Sequence, residues 1–594
     1  MPVLTGGQII ARTLKNYGIE YCAGIPGHGI WSVTDAFLDE ESEIPFIQVF
    51  HEQSALHLAD GYYRATGKPM LALTSIGAGA ANTVIGLATA LQDSVPMVLI
   101  TGGPPTHMRG HGLLQVLDRF RDNDFPRIAE TLTKRSWVAN TVEEIPFALH
   151  RLFNAMLTGR PGPVHLEVPM DIQAASADVQ LHDLEARMPT GVSYPDPAAV
   201  RKAAEVMKTA ERPVMVLGGG AIAAEATSDL LALAEAWNAA VVTTWNGKGA
   251  FPEDHRLSMG AIGHTGTTAG NGTSSSADVI LAVGCRFTDW TSSSFAKGVT
   301  YSIPDTKLVH IDIDPQEIGR NYPVDVGIVA DAKVTVAHLL EEFTSAPARE
   351  EYLAELDTMK AQWEETLATR RDSDRFPFTS QRPVGILRDV LPREAIIISG
   401  SGNTQGAVRQ TFPVYGPRTH LTSGGFSPMG WAVPAAIGAK LAKPEVPVVC
   451  ILGDGDFLMN SQEIALCIIQ NLPVVFVVQN NAGYMSIRGG MRKQTSRFIG
   501  CEFTRPDGEP YSPNFVELGA AYGLSTTLVE SSEEFEQALR RALDSGEPSL
   551  IEVPTDRDAA GPWTPGWWDW PVPTYVTDDR AGKYDETRST EQHF

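Results

Sequence analysis

The stretch Val448-Val449-Cys450-Ile451-Leu452-Gly453-Asp454-Gly455-Asp456-Phe457 reads as a buried β-strand that stops at a glycine and opens into an acidic turn. A helix is expected through 464–469, and the next β-rich run, 474–478, ends in Gln479-Asn480-Asn481. Strand, turn, helix, strand is a parallel α/β unit. Two successive strand ends in such a unit lie side by side at the carboxyl edge of the sheet, so Asp454 and Asn481 can converge. Glycines let a ligand approach the backbone, and a helix N-terminus offers amides to an anion. Two hard oxygen ligands beside a phosphate-binding turn suit magnesium, which takes one or two protein oxygens together with phosphate oxygens. Asp-Gly alone is ordinary turn chemistry, so the reading rests on the pair of motifs.

The same alternation extends outward through the 594 residues. Near the start a helix is expected over 8–17, with strands at 21–23, 71–74 and 98–101, a doubly wound parallel pattern. A charged, proline-containing stretch, 174–197, separates this block from a new strand at 213–217. The middle block runs VMVLGGG, VVTTWNGKG, VILAVGCRF and KLVHIDIDP, each a short β-rich run ending in polar or glycine residues. A polar helix over 349–371 leads to a third block with strands at 395–398, 448–452 and 474–478. From Ala559 the pattern lapses into GPWTPGWWDWPVP. The expected fold class is α/β, with three doubly wound parallel-sheet domains at 1–175, 195–345 and 375–558 and a tail at 559–594. Three blocks of similar size suggest duplication of one layout.

Composition excludes several classes. Apolar residues make up 43% and charged residues 20%, an ordinary globular balance. The net charge of −24 repels phosphate backbones, so nucleic acid is not an expected partner. The five cysteines, Cys22, Cys285, Cys450, Cys467 and Cys501, are scattered without a CxxC pair, which predicts reduced buried thiols. No apolar run approaches the ~20 residues of a membrane span, and the N-terminus lacks a signal-peptide pattern. A cytoplasmic location without membrane attachment is expected.

The order strand, GDG, helix, strand, NN resembles the signature of thiamine diphosphate (ThDP)-dependent enzymes. To about Pro554 the chain is similar to the acetolactate synthase branch of that family. The resemblance makes the three domains pyrimidine-binding, central and diphosphate-binding. It implies metal ligation by Asp454, Asn481 and the backbone of Gly483, with Gly453, Gly455, Asp456, Tyr484 and Met485 around the cofactor. In the segment Thr422-Ser423-Gly424-Gly425-Phe426-Ser427-Pro428-Met429-Gly430, Met429 takes the place of the family's bulky residue that wedges between the two cofactor rings, with Ser427 beside it. Gly402, Asn403 and Thr404 fall where diphosphate contacts are expected, although Asn403-Thr404 replaces the usual Gln-His. Val49-Phe50-His51-Glu52-Gln53-Ser54-Ala55 matches the H-E-x-x-A pattern, which makes Glu52 the group that exchanges a proton with the aminopyrimidine N1′. A carboxyl in an apolar pocket suits that exchange. A glutamate at a helix start is otherwise a cap, but Gly77-Ala78-Gly79-Ala80-Ala81-Asn82 lies where the family has G-P-G-A-T-N. In that family the glutamate and the metal ligands come from neighbouring subunits, which implies a homodimer or a dimer of dimers.

In the middle domain Gly218-Gly219-Gly220 is a weak dinucleotide loop by itself. TTWNGKGAFPEDH, AIGHTGT and GCRFTDW resemble the synthase segments that cradle FAD, which brings in Gly219, Gly220, Thr244, Gly263, His264, Gly284 and Arg286, with Asp312 and Asp331 at ribose and flavin-side positions. Thr288-Asp289-Trp290 departs from the family's D-D-R. FAD is expected, with ADP or an empty remnant as alternatives.

The reaction is less legible. Gln115 matches the glutamine near the reactive carbon in synthases and Lys134 a nearby lysine, which favours a carboligase acting on a 2-oxo acid such as pyruvate. His28, in Gly27-His28-Gly29, and the run AGYMSIRGG with Tyr484, Ser486 and Arg488 resemble the hydrolases of cyclic 1,2-diones. A dione hydrolase or 2-hydroxyacyl lyase is therefore the second hypothesis, and a catalytically silent scaffold the third. The tail, with Trp563, Trp567, Trp568 and Trp570 among prolines, is expected to lie as an extended strap over an active-site entrance or a subunit interface.

Overall fold

The computed structural model describes residues 3–120, 124–343, 348–559 and 561–594, so the expected boundary at 345 falls outside the described residues. β-rich runs, buried along their length in the central strands and partly exposed at the edges, build three six-stranded sheets. The first contains β1 (Cys22–Ile25), β2 (Phe46–Gln48), β3 (Leu71–Thr74), β4 (Val98–Gly103), β5 (Arg135–Val138) and β6 (Val164–Pro169), in the order β2-β1-β3-β4-β6-β5. The second contains β7 (Pro213–Leu217), β8 (Ala240–Thr243), β9 (Ser258–Ala261), β10 (Val279–Val283), β11 (Lys307–Asp312) and β12 (Val326–Val329), ordered β9-β8-β7-β10-β11-β12. The third contains β13 (Ile396–Ser399), β14 (His420–Leu421), β15 (Val448–Gly453), β16 (Val474–Asn480), β17 (Ser525–Leu528) and β18 (Ser549–Pro554), ordered β14-β13-β15-β16-β18-β17. The sheets are parallel, and helices cover them over buried apolar clusters.

Outer sheets one and three share one strand order, whereas the middle sheet has another. The expectation of a single layout used three times is corrected to two copies plus a different centre. Block size could not reveal this, because strand order is set by crossovers between distant segments. In each sheet the order reverses beside the first-formed strand, and the crevice at the carboxyl ends there is where α/β sheets take ligands. The loops after β1 and β3, after β7 and β10, and after β13 and β15 carry most of the residues singled out above.

Five helices position those residues: α1 (Glu52–Thr66), α2 (Asn403–Thr411), α3 (Ala432–Ala442), α4 (Met485–Gln494) and, in the tail, α5 (Asp579–Arg588). The chain divides into two units. One comprises Met1–Gly191, Ser423–Val448 and Leu458–Val474, and the other Val192–Thr422, Val449–Phe457 and Val475–Phe594. In the first unit α3 crosses α1 with backbones touching: a Cβ on Gly61 would overlap the Ala435 carbonyl oxygen, and one on Gly438 would overlap that of Leu58. The small-residue run AVPAAIGAK is thus a packing face. No described helix is long and apolar enough to cross a membrane.

Candidate active site

In the first unit the chain leaves β2 and turns at His51, whose Nδ1 accepts the Gln53 amide at 3.2 Å and caps α1. Because His51 performs the capping, the carboxylate of Glu52, the first helical residue, is not used for it. It accepts Asn82 Nδ2 at 2.8 Å, and a Cβ on Gly79 would stand 3.0 Å from its Oε1. The H-E-x-x-A segment and the Gly77–Asn82 turn after β3 therefore meet at one carboxylate. Gln115, at φ 65°, packs its backbone against Gly77 and joins this neighbourhood with its side chain exposed. His28 begins the short turn after β1, partly buried, with its ring 6.5 Å from that of Trp31. Lys134 is used structurally, since its ammonium donates to the carbonyls of Thr158 and Arg160 at 2.8 and 2.6 Å. The loop bearing Ser427 and Met429 is fixed at both ends: Asp93 Oδ1 accepts Gly425 N at 2.9 Å, and Asn460 Nδ2 donates to Gly430 O at 2.6 Å.

Glu463 escaped the sequence reading. It is fully buried, its two oxygens accept the Phe50 amide at 3.2 and 3.1 Å, and burial raises its carboxyl pKa. It thus anchors the residue two places before Glu52. The available signal was a lone acid in the run MNSQEIALCIIQ.

In the second unit the GDG turn and the end of β16 converge as the parallel unit requires. Asp454 is 1% exposed, its Oδ1 accepts Gly455 N at 2.8 Å, and its Oδ2 accepts the amides of Asn481 and Gly483 at 3.2 and 3.1 Å. Burial lifts its pKa to about 6, against the lowering effect of those amides. Asn481 Oδ1 is buried beside this carboxylate with no hydrogen-bond partner among the described residues. A buried acceptor without a donor is costly, and carboxylate, carboxamide and carbonyl oxygens are the donor set of a hard cation. Open space lies next to Gly453, where an added Cβ would touch nothing, and Gly402, at φ 95°, would meet only Ser486 at 3.6 Å. Asp456 Oδ2 accepts the Ser401 amide at 2.8 Å and ties the loop after β13 to the one after β15. Tyr484 closes the turn, its ring against Gly455 and 5.0 Å from Phe503, and Met485 is buried beside Gly483. Thr404 spends its hydroxyl on Gln479 Oε1 at 2.7 Å, and Asn403 lies against Gly561 of the tail. Arg488 is held by Glu502 and Asp558 at 2.6 and 2.8 Å.

Comparison with known proteins agrees with the three-sheet plan. Residues 4–121 match the N-terminal TPP-binding domain of thiamine pyrophosphate enzymes, 200–339 their central domain and 400–553 their C-terminal TPP-binding domain. A probable acetolactate synthase large subunit of Methanocaldococcus jannaschii is 35% identical, over 95% of this chain and 94% of its own length. The chain belongs to the acetolactate synthase-like ThDP-dependent enzymes. The large subunit of acetolactate synthase isozyme 3 from Escherichia coli K12 is 33% identical over 92% of the chain and 93% of its own. That of Corynebacterium glutamicum is 35% identical over 94% and 87%. ThDP fits the residues present: open space at Gly453 next to the buried Asp454 carboxylate and the buried Oδ1 of Asn481 in one unit, and a glutamate free of capping duty in the other.

The enzyme's central domain is built differently from the flavin cradle expected of it. Gly218, Gly220 and Gly284 pack backbone on backbone at the ends of β7 and β10, Gly219 stands against Asn246, and the Thr244 amide donates to Leu217 O at 3.0 Å. Arg286 O accepts Asn321 Nδ2 at 3.3 Å. Asp312 is buried, accepts the Asp314 amide at 2.9 Å, and is raised by burial to about 6. Asp331 is a helix cap, accepting Val334 N at 3.0 Å. At Gly263 and His264 the neighbour is the enzyme's own tail. The ring of Trp290 lies 4.6 Å from both His264 and Trp568, and Trp568 lies 4.6 Å from Trp570. Trp290 Nε1 has no hydrogen-bond partner among the described residues, a cost of about 1–3 kcal/mol. With the tail in place these positions do not fit a flavin ring.

Proposed function

We propose that the enzyme is a ThDP- and magnesium-dependent carboligase that releases carbon dioxide from a 2-oxo acid such as pyruvate and joins the remaining acyl unit to an aldehyde or ketone acceptor. Asn481 Oδ1, a buried oxygen beside the Asp454 carboxylate without a donor among the described residues, is the observation that supports magnesium, and the open space at Gly453 supports a diphosphate held through that ion. Bound ThDP supplies the electron sink for breaking and making a bond at a carbonyl carbon. The chain's residues do the rest. Asp454, Asn481 and the Gly483 carbonyl would hold the ion, and Met429, on a loop fixed at both ends, would support the two rings. Glu52, oriented by Asn82 and kept in place through Glu463, would exchange the proton at the aminopyrimidine N1′. Gln115, exposed next to the Gly77 turn, would face the substrate. As the family resemblance implies, the working form would be a homodimer or dimer of dimers in which Glu52 and the Asp454–Asn481 pair of each site come from neighbouring subunits. FAD has no part in this reading.

A second reading, hydrolysis of a cyclic 1,2-dione or cleavage of a 2-hydroxyacyl thioester, is favoured by His28 beside β1 and by Arg488. That arginine is already paired with two carboxylates and so is poorly placed to receive a second 2-oxo acid. The two readings separate when the ThDP–Mg protein is incubated with 2-oxo acids alone and with aldehydes, with diones and with hydroxyacyl thioesters, and products are identified by mass spectrometry. Carbon dioxide release from a 2-oxo acid with a carboligated product supports the first. Ring-opened or cleaved product without carbon dioxide replaces it with the second.

A further inference from the structure

The sequence departs from the family's flavin-contacting D-D-R at Thr288-Asp289-Trp290, and the tail, 559–594, is an aromatic segment with no partner assigned to it. Asp289 and Trp290 are the residues that receive the tail. Trp568 Nε1 donates to Asp289 Oδ2 at 3.1 Å while its ring stands on that of Trp290. The backbone between is seated as closely: Gly566 lies on Gly263, where any Cβ would fall 2.5 Å from both the Gly263 carbonyl oxygen and Ser293 Oγ, and its amide donates to His264 O at 3.3 Å. Asp569 N donates to Ser294 Oγ at 2.9 Å, and its Oδ1 accepts the Tyr584 hydroxyl of α5 at 2.6 Å. Further along, Lys297 N donates to Thr590 O at 3.0 Å, and Gln592 N to Phe295 O at 3.1 Å. The polar groups of the strap thus have partners at successive positions, and the site is built for this segment.

We infer that the tail segment 562–570 is the resident occupant of the central-domain groove and that this enzyme carries no FAD there. Asp289 and Trp290 stand where a dinucleotide-binding chain would keep groups for its ligand, and here they hold an indole. Gly263 and His264, which a flavin would need open, are covered by Gly566, Trp568 and Trp570. The inference concerns the occupant of the groove and holds whichever reaction the ThDP site performs.

Two measurements on the full-length ThDP–Mg protein test it. FAD is titrated in, with quenching of its fluorescence and retention after ultrafiltration as readouts; no saturable uptake is expected, and stoichiometric retention overturns the inference. The indoles of Trp290, Trp568 and Trp570, with successive ring centroids 4.6 Å apart, should give an exciton couplet in the far-ultraviolet circular dichroism. Trp568→Phe, which keeps an aromatic ring but removes the indole, should weaken that couplet to what the remaining Trp245–Trp290 pair, 5.5 Å apart, supplies, with an unchanged ThDP titration. A wild-type protein without the couplet, or a Trp568→Phe protein that keeps it undiminished, places the tail elsewhere and overturns the inference.

Discussion

Glu52→Gln keeps the size of the side chain and a contact to Asn82 but removes the exchangeable carboxyl. Turnover should fall by at least the ~10²-fold of a lost acid–base group, with ThDP still bound in a fluorescence titration. Asp454→Ala removes the carboxylate that accepts three amides, so magnesium and ThDP affinities should fall together, and a titration of each in the presence of the other checks it. Asp312 gives a prediction in stability. Its pKa, raised by burial to about 6 from 3.8, means that the folded state penalises the charged form. The penalty is absent below the unfolded pKa and complete above the folded one. Asp312→Asn should therefore raise the melting temperature at neutral pH, by up to roughly 3 kcal/mol in stability, and make no difference near pH 3. At this scale the sequence was most legible where two motifs had to meet, as at Glu52 with Asn82 and at Asp454 with Asn481. Glu463 was not legible, because its partner amide lies 413 residues away and nothing in a linear reading pairs them.

At the level of elements, the contact between α1 and α3 inverts an ordinary preference. Glycine to alanine inside a helix is normally favourable by about 1 kcal/mol. Gly438→Ala would instead drive a methyl into the Leu58 carbonyl, forcing the helices apart, and chemical denaturation should show a loss of roughly 1–3 kcal/mol. The helix α4, which follows the Asn481–Tyr484 turn, is clamped by the tail: Lys493 Nζ donates to Thr564 Oγ1 at 2.9 Å, Gln494 Nε2 to Pro571 O at 2.7 Å, and Trp570 lies over Gly490. The strands were legible from apolar runs bounded by glycine, and β3 and β7 run over the expected residues. The order of strands within each sheet was not, since it depends on crossovers, and neither was the exchange of α3 into the first unit. Small residues in AVPAAIGAK announced close packing without naming the partner.

For the whole molecule, the extended strap read from prolines and tryptophans is present, with the addition of α5, and it binds the central domain as well as α4. Ending the chain after Pro554 should uncover the faces of His264 and Trp290. Greater binding of an apolar dye and a lower melting temperature would follow, and an unchanged melting curve would count against the strap as a structural part. The first and third sheets share one strand order and the second, between them in sequence, has another, so the chain carries a repeated pair and a separate module. The first unit, finally, is discontinuous in sequence, since α3 lies far beyond Gly191 yet covers the Gly61 face of α1. At the ~5–20 residues per second of synthesis, that face waits on the order of tens of seconds for its covering helix to leave the ribosome. During that interval the Gly61 face of the nascent first domain is exposed to water, and a ribosome stalled anywhere in the central domain would leave a product with α1 unsheathed.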